Sequence, residues 1–162
     1  MPLKNLLQRL LPSRPRSEAP KPEPTDWSLA QAVNHETGET GILRTRTCKP
    51  RRADLESLTT AVVITWPYQS PNGMPPSEIN QQQLHFERAL DPLSADHENS
   101  ELVQVFTGMG QKEWTFYARS REAFMADLNR LLGGHPRYPL AINFYEDPAW
   151  QIWGENRETL GR

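Results

Sequence analysis

A chain of 162 residues with a formal charge of −2 has room for one domain of ordinary size and a tail, because single cores commonly take about 100–150 residues. So small a net charge excludes whole-molecule electrostatic steering toward nucleic acid, although residues 1–25, with five basic and two acidic side chains, carry +3 and leave −5 for the remainder. The single cysteine, Cys48, excludes an internal disulfide and a thiol-based zinc or redox motif, which fits a reducing compartment.

No run approaches the roughly 20 apolar residues of a bilayer span, and the N-terminus lacks a signal-peptide core, so the expected location is the cytoplasm. In residues 1–11, Leu3, Leu6, Leu7, Leu10 and Leu11 recur at helical spacing and predict a short amphipathic arm. Burying five leucines contributes about 7–15 kcal/mol as an upper bound, against about 10–20 kcal/mol for ordering ten backbone positions. The arm therefore needs a surface: its own domain, another protein or, least favoured, a membrane, where two cations add only about 2 kcal/mol. Residues 12–25 hold five prolines and no large apolar side chain, as an extended linker does.

A single α+β domain is expected over 26–162. DWSLAQAV and GILRTRT read as strands joined by the turn-rich NHETGET, a hairpin. The β-branched TTAVVITWPY, 59–68, predicts a central strand. After the loop QSPNGMPP, a helix starts at Pro76-Ser77-Glu78 with Ile79, Leu84, Phe86 and Leu90 as its apolar face, and Asp91-Pro92 is expected to end it. ELVQVFTG and KEWTFYAR form a second hairpin around Gly108-Met109-Gly110, with Leu102, Gln104 and Phe106 opposite Val103, Val105 and Thr107. Ser120 is placed to cap a helix that buries Phe124, Leu128, Leu131 and Leu132 and stops at Gly133-Gly134. YPLAINFYED supplies a last strand, followed by a tail, PAWQIW.

The order β-α-β-β-α-β from residue 59 is that of a ferredoxin-like split βαβ, preceded here by an extra β-hairpin. A mostly antiparallel sheet with two helices on one face would leave its other face open for binding.

Ile64-Thr65-Trp66-Pro67-Tyr68 followed by Asn72-Gly73-Met74-Pro75 resembles the central motif of the bacterial DUF695 family. Thr107-Gly108 with Gly110, Glu113-Trp114-Thr115-Phe116-Tyr117, Tyr138-Pro139-Leu140 and Glu146-Asp147-Pro148-Ala149-Trp150 extend the resemblance over roughly residues 26–153. The resemblance implies no assigned activity. Members are sometimes joined to a domain similar to the regulator of ribonuclease E, a ferredoxin-like inhibitor that acts by binding, and by fold-level analogy this favours an interaction module.

No metal or cofactor is expected: His35, His85, His97 and His135 lack ligand spacing, and phosphate-loop and nucleophile-elbow motifs are missing. His85 and Glu87, two apart on a helix, point to different faces. Glu113, Glu146 and Asp147 are the candidates for acid/base work, which needs carboxyls of separated pKa; Asp147-Pro148 also reads as the start of a turn. Among the aromatics, Trp66, Tyr68, Trp114, Tyr117 and Trp150 are the candidates for a contact surface, weighed against ordinary core packing and against base stacking. Arg44 and Arg46, with Lys49, Arg51 and Arg52, form a basic segment suited to phosphate or an acidic protein, or to guarding a strand edge. Cys48 beside these cations is either a reactive thiol or a buried or half-buried small residue at a strand end. The leading expectation is a non-catalytic protein-binding or regulatory module, of inhibitor or immunity type, with an unidentified protein as partner. The alternatives are an enzyme using carboxylates near Glu113 and Asp147, and a nucleic-acid binder through residues 44–52.

Overall fold

The structure, a computed structural model, describes residues 26–95 and 97–160. The amphipathic arm expected at 1–11 and the linker expected at 12–25 lie outside them. Among the described residues the fold is mixed α+β, with one antiparallel sheet of six strands and three α-helices. In chain order these are β1 (Trp27–Val33), β2 (Thr40–Arg46), β3 (Thr60–Pro67), α1 (Ser77–Ser94), β4 (Ser100–Gly108), β5 (Gln111–Ala118), α2 (Arg121–Leu131), β6 (Ala141–Glu146) and α3 (Gln151–Leu160). The strands lie in the order β1-β2-β4-β5-β3-β6, so the β-branched β3 is interior, between β5 and β6, rather than central. Val62 and Ile64 are wholly buried there.

Both hairpins form as the turn residues require. Between β4 and β5 the two turn residues, Met109 and Gly110, have φ of 53° and 78°. That is the doubly left-handed turn whose twist matches the flanking strands. The expected alternation in β4 is broken, because its register against β5 shifts between Leu102 and Gln104. The extra residue, Val103, is a bulge. Leu102 and Val105 therefore share the α1 side with Phe116 and Trp114, while Val103 joins the opposite core with Tyr117.

Ser120 caps α2 as its side chain accepts the Ala123 amide at 3.1 Å, and Phe124 and Leu128 are buried beneath. In contrast, α1 does not end at Asp91-Pro92 but runs to Ser94. An internal proline costs about 3 kcal/mol, a cost offset here by burial of Leu93, which continues the stripe Gln83, Phe86, Leu90. Leu84, assigned to that stripe by spacing, is exposed instead.

The largest correction concerns the second sheet face. The segment read as a tail forms α3, and Trp150 and Trp153 pack there with Leu58, Ala61, Val103 and Tyr117. Helices thus cover both faces: α1 and α2 lie over the core of Ile64, Trp66, Phe86, Trp114 and Phe116, and α3 lies across the other.

Candidate functional site

The aromatics singled out as a contact surface are core. Trp66, Trp114, Tyr117 and Trp150 are at most 3% exposed, and only Tyr68 is half-buried. Their alternation along the strands is what buries them, Trp66 and Trp114 on one face and Tyr117 on the other, once a helix covers each face. Trp114 donates its indole N–H to Glu87 of α1 at 2.9 Å, and the same carboxylate oxygen holds the Lys112 ammonium at 2.7 Å. Near them Gln83 is wholly buried with neither amide atom hydrogen-bonded. His85 stacks on His135, and that ring shares a hydrogen bond of 2.9 Å with the Tyr138 hydroxyl.

At one end of the sheet the Asn72-Gly73-Met74 loop folds onto the β4–β5 turn. The Tyr68 hydroxyl donates to the Gly73 carbonyl at 2.8 Å, and the same carbonyl accepts the Gly110 amide at 2.9 Å. Burial pushes the Tyr68 hydroxyl up to about 12. Gly73, at φ 81°, has space for no side chain, because a Cβ would lie 2.9 Å from the Met109 amide nitrogen.

The three candidate acids occupy three different surroundings. Asp147 is buried and forms the N-terminal clasp of α3, accepting the Tyr117 hydroxyl at 2.6 Å and the amides of Gln151 and Ile152 at 2.8 and 3.0 Å. Burial opposes its charge, but the Tyr117 hydroxyl, these two amides and Lys49 outweigh it and hold the carboxyl below its ordinary value. Burial pushes the Tyr117 hydroxyl well above its own range, and the Asp147 hydrogen bond adds to this. Glu146 is exposed, in a cleft of about 300 Å³ with Arg119, Arg121 and Phe144. Glu113 stands apart from both, with its carboxyl raised by burial and touched by the Thr65 hydroxyl at 3.5 Å. The adjacent Glu146 and Asp147 thus lie in different surroundings, one lining the cleft and one at the start of α3.

The basic segment is largely engaged. Arg46 and Arg52 converge on Glu101, itself 1% exposed, at 3.0 and 3.2 Å. Arg52 also grips Asp54 with two nitrogens, at 2.6 and 2.9 Å, holding that carboxyl down to about 2, and Arg119 closes on Asp54 from the other side. Lys49 lies over the Trp150 ring, while Arg44 and Arg46 both lie over Trp27. Arg44 and Arg51 are exposed. Cys48 is exposed too, rather than buried at a strand end.

The DUF695-like motifs thus meet in two structural clasps, one around Tyr68, Gly73 and Gly110 and one around Tyr117, Asp147 and Trp150. A model described as a family of unknown function, DUF695, matches residues 25–155. The chain belongs to the DUF695 family. Neither a curated protein nor a solved structure matches it. No group of histidine, cysteine and carboxylate side chains able to hold a metal occurs among the described residues of this DUF695 chain, and none of their helices is long and apolar enough to cross a membrane.

The feature that aromatic counting overlooks is strand β1. It is an edge, paired with β2 over seven residues in unbroken register from Trp27–Arg46 to Val33–Thr40. Its sequence, WSLAQAV, holds no charge and no proline. Natural edges are usually blunted by charge, proline or a bulge. The lack of charge is legible in the sequence, whereas the edge position comes from the strand order.

Proposed function

We propose that this DUF695 chain is a non-catalytic, cytoplasmic bacterial protein that regulates a partner by contact, receiving an extended segment of that partner as a strand added to β1. The observation that carries the reading is the unblunted edge: seven consecutive residues without charge, proline or bulge. Main-chain hydrogen bonds supply affinity in such strand addition, and alternate side chains supply selectivity. The strand order β4-β5-β3-β6, with α1 and α2 as the connections, supports a ferredoxin-like split βαβ as the scaffold. Catalysis by Glu113 or Asp147 and nucleic-acid binding through residues 44–52 draw less support, since Asp147 caps a helix and Arg46 and Arg52 hold a buried carboxylate.

Purification of the full chain from source cells under native conditions, with amide hydrogen exchange on the retained complex, tests this. The expected result is new protection confined to β1 and loss of the partner in Gln31→Lys. A partner retained without change at β1, or retained equally by Gln31→Lys, overturns the strand-addition reading.

A further inference from the structure

We propose that the cleft between the start of α2 and the β3–β6 end of the sheet binds a free α-amino acid with an apolar side chain. The cleft measures about 300 Å³, at the small end of the range for ligand pockets. Thr60 lines it, is only 5% exposed, and has no side-chain hydrogen bond to a described residue. Buried hydroxyls nearly always find a partner, so one left open toward a cleft points to a group that enters it. Thr60 faces the α2 side of the sheet, because it pairs with Ala118, a residue of the core under α1 and α2.

The start of α2 supplies the other donors. The Ser120 side chain accepts the Ala123 amide at 3.1 Å, and the Phe124 amide closes on the Ser120 carbonyl. The amides of Arg121 and Glu122 are the first-turn donors that remain, at the helix end that favours negative charge. The Arg121 guanidinium lies over the Phe144 ring, 4.9 Å from its centre, and has no ion pair with a described carboxylate. Arg119, in contrast, is engaged by Asp54 and by the Glu98 carbonyl. Two amides, one hydroxyl and one guanidinium thus surround a place for a carboxylate, which has about four acceptor positions to offer them.

A bare anion does not match the whole lining. Glu122 and Glu146 line the cleft as well. Glu146 is the direct partner of Thr60 across β3 and β6, and such partners share a face with Cβ atoms about 5 Å apart. A group bound at Thr60 therefore has a carboxylate beside it, which repels a simple anion and attracts an ammonium. In an α-amino acid the ammonium sits one carbon from the carboxylate, so one molecule can serve both ends of this juxtaposition. Phe144 and Tyr145 give the apolar part of the lining, which suits an apolar side chain. The cleft adjoins β6, at the opposite edge of the sheet from β1, so the inference stands or falls separately from strand addition.

The test is an amide NMR titration of the full-length protein with L-leucine. Beside it run 4-methylpentanoate and 3-methylbutylamine, which keep the leucine side chain but lack its amine or its carboxylate. The expected result is a saturable shift of the Arg121 and Glu122 amides with L-leucine, and binding about ten-fold or more weaker for each half-ligand, which has lost a charge-assisted contact. Thr60→Val and Glu146→Gln are each expected to weaken L-leucine binding several-fold, with β4 and β5 signals reporting that they remain folded. Glu146→Gln, at an exposed position, decides the matter should Thr60→Val fail to fold. Absence of a saturable shift overturns the proposal. So does an affinity unchanged in Glu146→Gln, or equal binding of 4-methylpentanoate, which would make the cleft a plain anion site.

Discussion

Asp147→Ala removes the residue on which the attachment of α3 depends. In the native protein its carboxylate takes the amides of Gln151 and Ile152 and the hydroxyl of the buried Tyr117. Loss of a helix N-terminal acceptor costs about 1 kcal/mol, and a buried hydroxyl left without its partner costs about 1–3 kcal/mol more. The expected destabilisation is therefore about 2–4 kcal/mol, or a Tm lower by about 8–16 °C at roughly 4 °C per kcal/mol for a domain of this size. Urea unfolding followed by tryptophan fluorescence measures it, since Trp150 and Trp153 lie in the same core as Tyr117. Asp147→Asn, which keeps an acceptor, falls between. Its deficit shrinks as pH falls, because a carboxyl held below its ordinary 3.8 contributes stability that is present above that value and lost as pH drops through the folded one. In a double-mutant cycle with Tyr117→Phe, the coupling between the two sites is expected to be about 1–2 kcal/mol. Strictly additive effects, or an Asp147→Ala cost under about 0.5 kcal/mol, would refute the claim that this clasp fixes α3 to the sheet.

Three further outcomes are expected. Glu101→Gln leaves the largely buried Arg46 and Arg52 guanidinium groups without their shared counter-charge and is expected to cost about 3–5 kcal/mol by urea midpoint; a cost below about 1 kcal/mol would show that the pair contributes little. Glu113→Gln is expected to match the wild type near pH 4 and exceed it in stability at pH 7, because a carboxyl raised above 4.5 by burial keeps its proton longer in the native state, so stability falls as pH rises through that range; equal stability at both pH values would contradict this. Gln83→Met replaces a wholly buried, unpaired amide by an apolar chain of similar size and is expected to stabilise the protein by about 1–3 kcal/mol in the same assay, a loss of stability being the contrary result.

The strands and the first two helices were legible because each carries a strong local signal: β-branched runs and a glycine-bearing turn for β3 to β5, and a capping serine for α2. What failed locally is what tertiary burial decides. Pro92 reads as a helix end, but the next residue, Leu93, falls wholly into the core, and that burial carries the helix one turn further. The segment of α3 reads as a tail because its apolar residues are few and Gly154 interrupts them. Its signature is nonetheless present in Asp147 as an acceptor before the helix, with Trp150 and Trp153 three apart, although Asp147-Pro148 by itself has the form of a plain turn.

The presence of α3 decides where these aromatic side chains lie. With α3 absent, Tyr117 and Trp150 look like a platform; with it present, they stack at 4.0 Å inside the second core. An aromatic count cannot separate these cases, because large rings contribute equally to cores and to contact surfaces. Charge distribution separates them better. Glu101, Lys112 and Glu113 interrupt β4 and β5, and Arg44 and Arg46 interrupt β2, whereas WSLAQAV carries no charge at all. An interior strand can lack charge because it is buried on both sides. An edge strand that lacks it is not blunted by charge, and β1 is such an edge, which is why the proposed strand addition is placed there.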